Sequence, residues 1–276
     1  MPPARRPRRG SRAAQANLGG ILMIVAVVLI VIVGLGIYGW QVYGTREVDR
    51  LTGCPKQGLP TSVTAVLLDV SDPMSAIQTA DFNQLMEDVK KNIPKLGKLE
   101  LYSLAANVEK PLVPEYAGCN PGSGQDVASP LTGNQKLADR RWTKVFSDKV
   151  DAVLNRIAST PGEDRSPILE SIQSISITAF GGEEIQKIPR TIIIVSDLIQ
   201  YTKQVSFYQG APDFDKFSKT PYFKQIRTDL HGANVVFALI RRDTRRQVQN
   251  PRLQSFWMQC VTDQNGVIER WYPIKG

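Results

Sequence analysis

The sequence predicts a doubly wound, mostly parallel α/β domain preceded by one N-terminal transmembrane helix, and three observations carry that expectation. A stretch without charge runs between Arg12 and Arg46 and is densely apolar from Ile21 to Ile37. Three short apolar runs, VTAVLLD (63–69), RTIIIVSD (190–197) and NVVFALI (234–240), have the composition of strands buried on both faces of a parallel sheet. Between the runs lie segments of ten or more residues with helical spacing, and strands alternating with such helices are repeated βαβ units.

The N-terminal elements are set by charge. The chain has 276 residues, 34 Lys+Arg against 26 Asp+Glu, and a net charge of +8. Such a surplus ordinarily raises nucleic acid as a partner, because Lys and Arg clusters neutralise phosphates. Here five of the surplus charges, Arg5, Arg6, Arg8, Arg9 and Arg12, precede the apolar run, and no acid occurs before Glu47. Subtracting those five from +8 leaves +3 for everything after them, so nucleic acid is not the expected partner. About 20 apolar residues rising 1.5 Å each span the ~30 Å hydrocarbon core. Residues 1–17 therefore read as a basic arm and 18–43 as the membrane helix, with Tyr38, Trp40 and Tyr43 in an interfacial belt. A cleaved signal peptide would have an apolar region of about 7–15 residues ending in small side chains, whereas this run is longer and ends in Tyr-Gly-Trp. The positive-inside rule puts the arm in the cytoplasm and the remainder across the membrane. No Asn-x-Ser/Thr acceptor occurs, which favours a bacterial cell over a glycosylating pathway. The expected location is thus a bacterial inner membrane, single pass, with the main domain periplasmic.

Residues 44–62, with Gly, Pro and Thr among polar residues, read as linker, and 63–276 as the α/β domain. KLELYSL (98–104) alternates apolar and charged residues and belongs nearer an edge, with 107–113 returning antiparallel beside it. Helical patterns cover 81–93, 134–157, 167–177, 223–230 and 251–263, and VIERWYPI (267–274) adds an edge strand. The stretches 113–133 and 198–221 lack periodicity; long loops in compact domains are usually functional or disordered. Tyr201, Phe207, Tyr208, Phe214 and Phe217 in the second loop would form an aromatic rim suited to hot-spot contacts.

Three cysteines and one histidine cannot supply a four-ligand His/Cys zinc site without carboxylates, and a Ser-His-Asp triad would rest on His231. His231, ahead of Gly232, reads as a dipole partner closing a helix. Cys260 shares helical spacing with Leu253, Phe256, Trp257 and Val261 and reads as a buried small hydrophobe. An extracytoplasmic domain keeps disulfides. The antiparallel return would bring the 114–126 loop to the N-terminal edge of the first strand, which Cys54 also approaches, so Cys54–Cys119 is the expected pair.

In open α/β sheets, ligands bind beyond the carboxyl ends of the strands where the strand order switches. Polar clusters stand at three such places: DVSDPMS (69–75), VSDL (195–198) and SPILESI (166–172), where Ser166 precedes a proline and can cap a helix. Asp69, Ser71, Asp72, Ser75, Ser166, Ser196 and Asp197 make an all-oxygen set of the kind that hard cations take. Asp72 and Ser75 also read as ordinary turn and cap residues. A strand ending Asp-x-Ser, a later Ser-Pro opening a helix, and a strand ending Ser-Asp resemble, over residues 60–275, the von Willebrand factor A domain with its metal-ion-dependent adhesion site. The resemblance implies a metal held by Asp69, Ser71, Ser166 and Asp197, with Ser75 included in the candidate metal set, and with Mg²⁺ first and Mn²⁺ or Ca²⁺ as substitutes. It departs at Pro73, where the family has serine and Ser75 stands two residues late, and at Leu198, where glycine is common.

The implied function is a membrane-anchored binding module that presents this face to a protein partner in a bacterial envelope assembly, not an enzyme. The alternative is a metal-dependent phosphohydrolase with Asp69 as nucleophile, as in haloacid-dehalogenase-like enzymes. That family needs a second Asp two residues on, where Ser71 stands. The RRDTRR run (241–246) reads either as a solvated loop or as a surface for an acidic partner.

Overall fold

The computed structural model describes residues 12–43, 47–69, 71–104, 110–127, 134–160, 162 and 164–275. The chain divides into two compact units, Met1–Glu47 and Val48–Gly276. The first contains helix α1 (Arg12–Tyr43). Its segment Gly19–Ile37 is long and apolar enough to cross a membrane. Arg5, Arg6, Arg8 and Arg9, and the side chains of Arg12, Tyr38, Trp40 and Tyr43, lie outside the described residues.

The second unit is built on β1 (Val63–Leu68), β2 (Lys98–Ser103), β3 (Tyr116–Cys119), β4 (Arg190–Ser196), β5 (Asn234–Ile240) and β6 (Val267–Ile274). They form one sheet in the order β3-β2-β1-β4-β5-β6, parallel except for β3. This is the doubly wound α/β arrangement shared by Rossmann-like and von Willebrand factor A folds. Side chains alternate across a strand, and because both faces of the sheet are covered the central strands carry apolar residues on both. Ala65 and Leu67, Ile192 and Ile194, and Val235 and Phe237 enter one core, beneath α5 (Ile168–Phe180) and α8 (Pro251–Asp263). Val66 and Leu68, Ile193 and Val195, and Val236 and Ala238 enter the other, beneath α2 (Ala76–Asn92) and the helical stretch 135–159. β6 is one of the two edge strands, and most of its residues are partly or fully exposed.

That helical stretch is α3 (Gln135–Trp142), one widened π turn at Thr143–Ser147 and α4 (Asp148–Ser159). Lys90 of α2 meets the turn. It is fully buried, and its ammonium donates to Ser147 Oγ at 3.0 Å and Asp151 Oδ1 at 2.7 Å while pairing with Glu87. Removing one partner of a buried pair is costly, but the two carboxylates here keep access to water, at 42% and 44% side-chain exposure. Lys90→Ala should therefore destabilise by about 2 kcal/mol, while Lys90→Met, which refills the volume, should cost less. Urea midpoints of the two variants check the order.

Three local expectations are corrected. The antiparallel strand beside β2 is Tyr116–Cys119, not 107–113; residues 105–109 lie outside the described set, and 110–113 are irregular. The helix expected over 223–230 is α7 (Pro221–Ile226), begun by the Thr220 cap and Pro221, and ended by extended Arg227. Beyond it, Thr228 N–H and Leu230 N–H donate to Gln264, a competing partner that peels the chain off the helix. His231 accordingly closes no helix: it sits in a turn at φ 51°, with its N–H donating to Asp229 Oδ1 at 2.7 Å. Finally, Phe207, Phe214 and Phe217 are buried in the α5/α8 core and form no rim; Tyr201 and Tyr208 are exposed. The loop is partly structured by the short helix α6 (Phe214–Phe217), whose rings pack edge-on against Phe223 and Phe256.

Cys54 and Cys119 are joined. Residues 48–62 are bound to the domain: Val48 bridges Pro55, Cys119 N–H donates to Thr52 O at 2.8 Å, and Thr61 N–H to Leu96 O at 3.1 Å. Gly53 has φ 72°, and a Cβ there would come 2.5 Å from Cys119 O, so the sharp approach to the disulfide needs glycine. Cys260 is free and buried, as its spacing predicts.

Candidate functional site

The strand order reverses between β1 and β4, the neighbouring parallel pair from which the chain winds outward in both directions. Asp69 N–H continues the ladder onto Val195 O at 2.9 Å, so the residues following both strands emerge side by side. Asp69, Ser196 and Asp197 are buried at 5%, 1% and 6% exposure.

Ser196 Oγ donates to Asp69 Oδ2 at 2.7 Å. Ser71 N–H donates to Asp69 Oδ1 at 3.1 Å, an Asx turn that folds the loop back over the carboxylate. Ser166 arrives from the opposite direction. It lies ahead of α5 in an antiparallel bridge with Tyr201, and its hydroxyl stands 3.2 Å from Ser71 Oγ and 3.5 Å from Asp69 Oδ1. The expected capping role is not taken: Pro167 occupies the cap position of α5 without a side-chain bond, which leaves the Ser166 hydroxyl turned to the cluster. Ser75 is used differently. It is the N-cap of α2 in a capping box, accepting from Gln78 N–H at 3.2 Å while Gln78 Oε1 accepts from Ser75 N–H at 3.0 Å. Asp69, Ser71, Ser166, Ser196 and Asp197 thus come together, and Ser75 sits at the adjoining helix end.

Asp197 Oδ1 accepts from Ile199 N–H at 2.9 Å. Burial pushes the Asp197 carboxyl up to about 7, and the nearby Asp69 charge adds to the shift, against the Ile199 amide and the Arg242 charge. Two neighbouring buried carboxylates, with serine hydroxyls around Asp69, are an oxygen donor set that fits a hard divalent cation, whose charge would reverse the penalty on Asp197. Among the described residues no group of three or more His, Cys, Asp or Glu is placed to hold a metal, so any cation here would lean on the serines and water.

Leu198 stands where the resemblance leads one to expect glycine. It takes the left-handed φ of 62° that glycine favours, yet its side chain is fully buried. Its N–H donates to Ser196 Oγ at 2.8 Å and its carbonyl accepts from Trp257 Nε1 at 3.0 Å. The turn is therefore held by core packing and two hydrogen bonds against strain of roughly 1 kcal/mol. Glycine normally costs about 0.5–1 kcal/mol more than alanine; here Leu198→Gly should be at least as stable as Leu198→Ala, although both lose the buried leucine. Paired urea titrations decide, and a clearly more stable alanine variant would sink the idea.

Two supports have no motif in the sequence. Gln249 is buried, and its amide donates to Asp197 O at 3.0 Å and Ile240 O at 2.7 Å. Arg242 donates to Asp72 O at 2.8 Å and Pro73 O at 2.5 Å, strapping the loop after β1. The RRDTRR run signalled charge, but which arginine reaches the strand end depends on the fold.

No family model matches the chain, and no curated protein matches it. Among solved structures it is similar to an aerotolerance-related membrane protein from Bacteroides fragilis, crystallised with multiple mutations to serines. The identity is 12% over 78% of this chain and 92% of that chain, with a TM-score of 0.36. At that level the likeness bears no weight for function, which is argued below from this chain's own residues.

Proposed function

We propose that the chain is a membrane-anchored protein-binding module of the bacterial envelope, which captures a protein partner at the carboxyl ends of β1 and β4. The observation that carries this reading is convergence: three separated segments, at 69–71, 166 and 196–197, bring two buried carboxylates and three hydroxyls to the switch point. In doubly wound sheets that is where ligands bind. Asp69, Asp197, Ser71 and Ser166 are the residues that would hold Mg²⁺, with Mn²⁺ or Ca²⁺ as substitutes. Such an ion supplies a positive point for a partner carboxylate. The disulfide agrees with an oxidising, periplasmic side for the domain, and the apolar α1 agrees with a single-pass inner-membrane anchor with a cytoplasmic N-terminus.

Asp69→Ala or Asp197→Ala should abolish partner capture, measured by pull-down of detergent-solubilised full chain, while leaving the unfolding free energy from urea titration within about 1 kcal/mol of wild type or above it. Unchanged capture by both folded variants contradicts the proposal. We read the module as non-enzymatic; phosphate release from a generic ester, abolished by Asp69→Asn, is the result that would favour a phosphohydrolase instead.

A further inference from the structure

The arginine loop after β5 is held in place more firmly than a solvated loop requires. Arg241 donates to Gln249 O at 3.0 Å, and Arg242 N–H donates to Gln249 Oε1 at 2.7 Å, so the residue that holds Asp197 also holds the loop. Arg245 lies over the Tyr208 ring, 4.7 Å from its centroid, and Tyr208 stacks edge-on against Tyr201 at 5.2 Å. Tyr201 in turn bridges Ser166. Beside this chain of contacts a hollow of about 440 Å³ is lined by Arg241, Arg242, Asp243, Arg246 and Lys275, four cations and one acid. Arg246 pairs with Asp243 at 2.7 Å on the exposed side. Holding like charges together costs energy, and fixing them beforehand lowers the ordering cost of binding an anion.

We propose that this hollow and the Tyr201–Tyr208–Arg245 edge receive an acidic peptide segment of the partner, resting on the reading of the adjoining strand ends as a binding face. Carboxylates of the segment settle on Arg241, Arg246 and Lys275, and its apolar side chains cover the two exposed tyrosines. Tyr and Arg are the side chains most enriched where protein interfaces carry their binding energy. A phosphate-dense polymer is the poorer fit. It has no apolar side chains for the tyrosines, and its uniform charge would run over the exposed Asp72 on the same face, whereas a peptide can alternate. Charge complementarity of this kind sets specificity and association rate.

The test uses full-length protein in nanodiscs of uncharged lipid, and the probe is a fluorescein-labelled peptide of alternating Glu and Leu, read by anisotropy. Its Gln analogue and an oligothymidylate of equal charge serve as controls. Wild type should bind the Glu peptide, weaken several-fold as salt is raised, and bind the Gln analogue roughly tenfold less tightly. Arg245→Ala with Arg246→Ala, both exposed, should lose roughly tenfold in affinity with an unchanged urea midpoint, and Lys275→Ala should lose several-fold. Equal affinity of wild type and the double variant, equal affinity for the Gln analogue, or tighter binding of oligothymidylate overturns the proposal. Capture of the native partner separates the two ideas. If Asp197→Ala loses it and the double arginine variant keeps it, the acidic assignment falls and the binding face stands. If the arginine variant loses both peptide and partner while Asp197→Ala retains both, the acidic contact stands and the strand-end reading falls.

Discussion

Replacing Cys54 and Cys119 together by serine should lower the unfolding free energy of the α/β unit by about 4 kcal/mol. The bond closes a sequence separation of 65 residues, and the entropy removed from an unfolded chain by a loop of that size corresponds to roughly 4 kcal/mol. In the folded state the bond fastens residues 48–62 to β3, the only antiparallel strand of the sheet and one of its two edges. The effect is large against the roughly 5–15 kcal/mol that a domain has in total. Urea titration of the full chain in detergent, followed by tryptophan fluorescence, measures it. Wild type under reductant should fall to the same midpoint as the double variant. A loss under about 1 kcal/mol would mean that strand pairing and the Cys119–Thr52 hydrogen bond already hold the edge without the bridge.

In EDTA, stability should fall as pH rises from about 4 to 7, the reverse of the usual acid-limb behaviour. Asp197 has its carboxyl raised to about 7 in the folded state against an ordinary 3.8. Between those values the folded chain keeps a proton that the unfolded chain releases, so each step up in pH favours unfolding. About three units at 1.36 kcal/mol each bound the effect at about 4 kcal/mol. Asp197→Asn should flatten the slope and stabilise the protein near pH 7.5. Asp69→Asn should reduce the slope, because the Asp69 charge is the second cause of the shift after burial. Millimolar Mg²⁺ should flatten it in wild type alone if the cation seats between the carboxylates. Stability that rises with pH across this window, or the same slope in Asp197→Asn, contradicts the assignment of a strained carboxylate pair.

Much of this was legible in the sequence because both faces of the central strands are covered. The runs 63–69, 190–197 and 234–240 carry buried apolar residues on both faces, and the polar residues at their carboxyl ends, Asp69, Ser196 and Asp197, mark where β1 and β4 end. Asp69 and Asp197 were therefore placeable at one sheet edge by topology, and Ser166 by the proline after it. The misreadings share a physical cause, which is that tertiary partners overrode local pattern. Gln264 takes the backbone N–H groups of Thr228 and Leu230, ending α7 early. The rings of Phe207, Phe214 and Phe217 look like a surface rim in a segment without periodicity, yet they fill the space beside Phe256 and Trp257. Leu198 takes a left-handed backbone conformation in spite of its bulky side chain, which composition has no means of displaying. Gln249 and Arg242 act through reach across the fold, and no spacing in the chain announces a glutamine that joins two loops 52 residues apart.

The strand-end face can be interrogated without knowing the partner, by photo-crosslinking in cells. A benzophenone amino acid introduced at Tyr208, exposed beside Arg245 and Tyr201, should yield one discrete adduct that disappears when Asp69→Ala and Asp197→Ala are added. The same probe at Glu269, exposed on β6 toward the opposite end of the strands, should yield none. An adduct from Glu269 with none from Tyr208, or a Tyr208 adduct indifferent to both aspartates, would contradict the assignment of β1 and β4 as the binding edge.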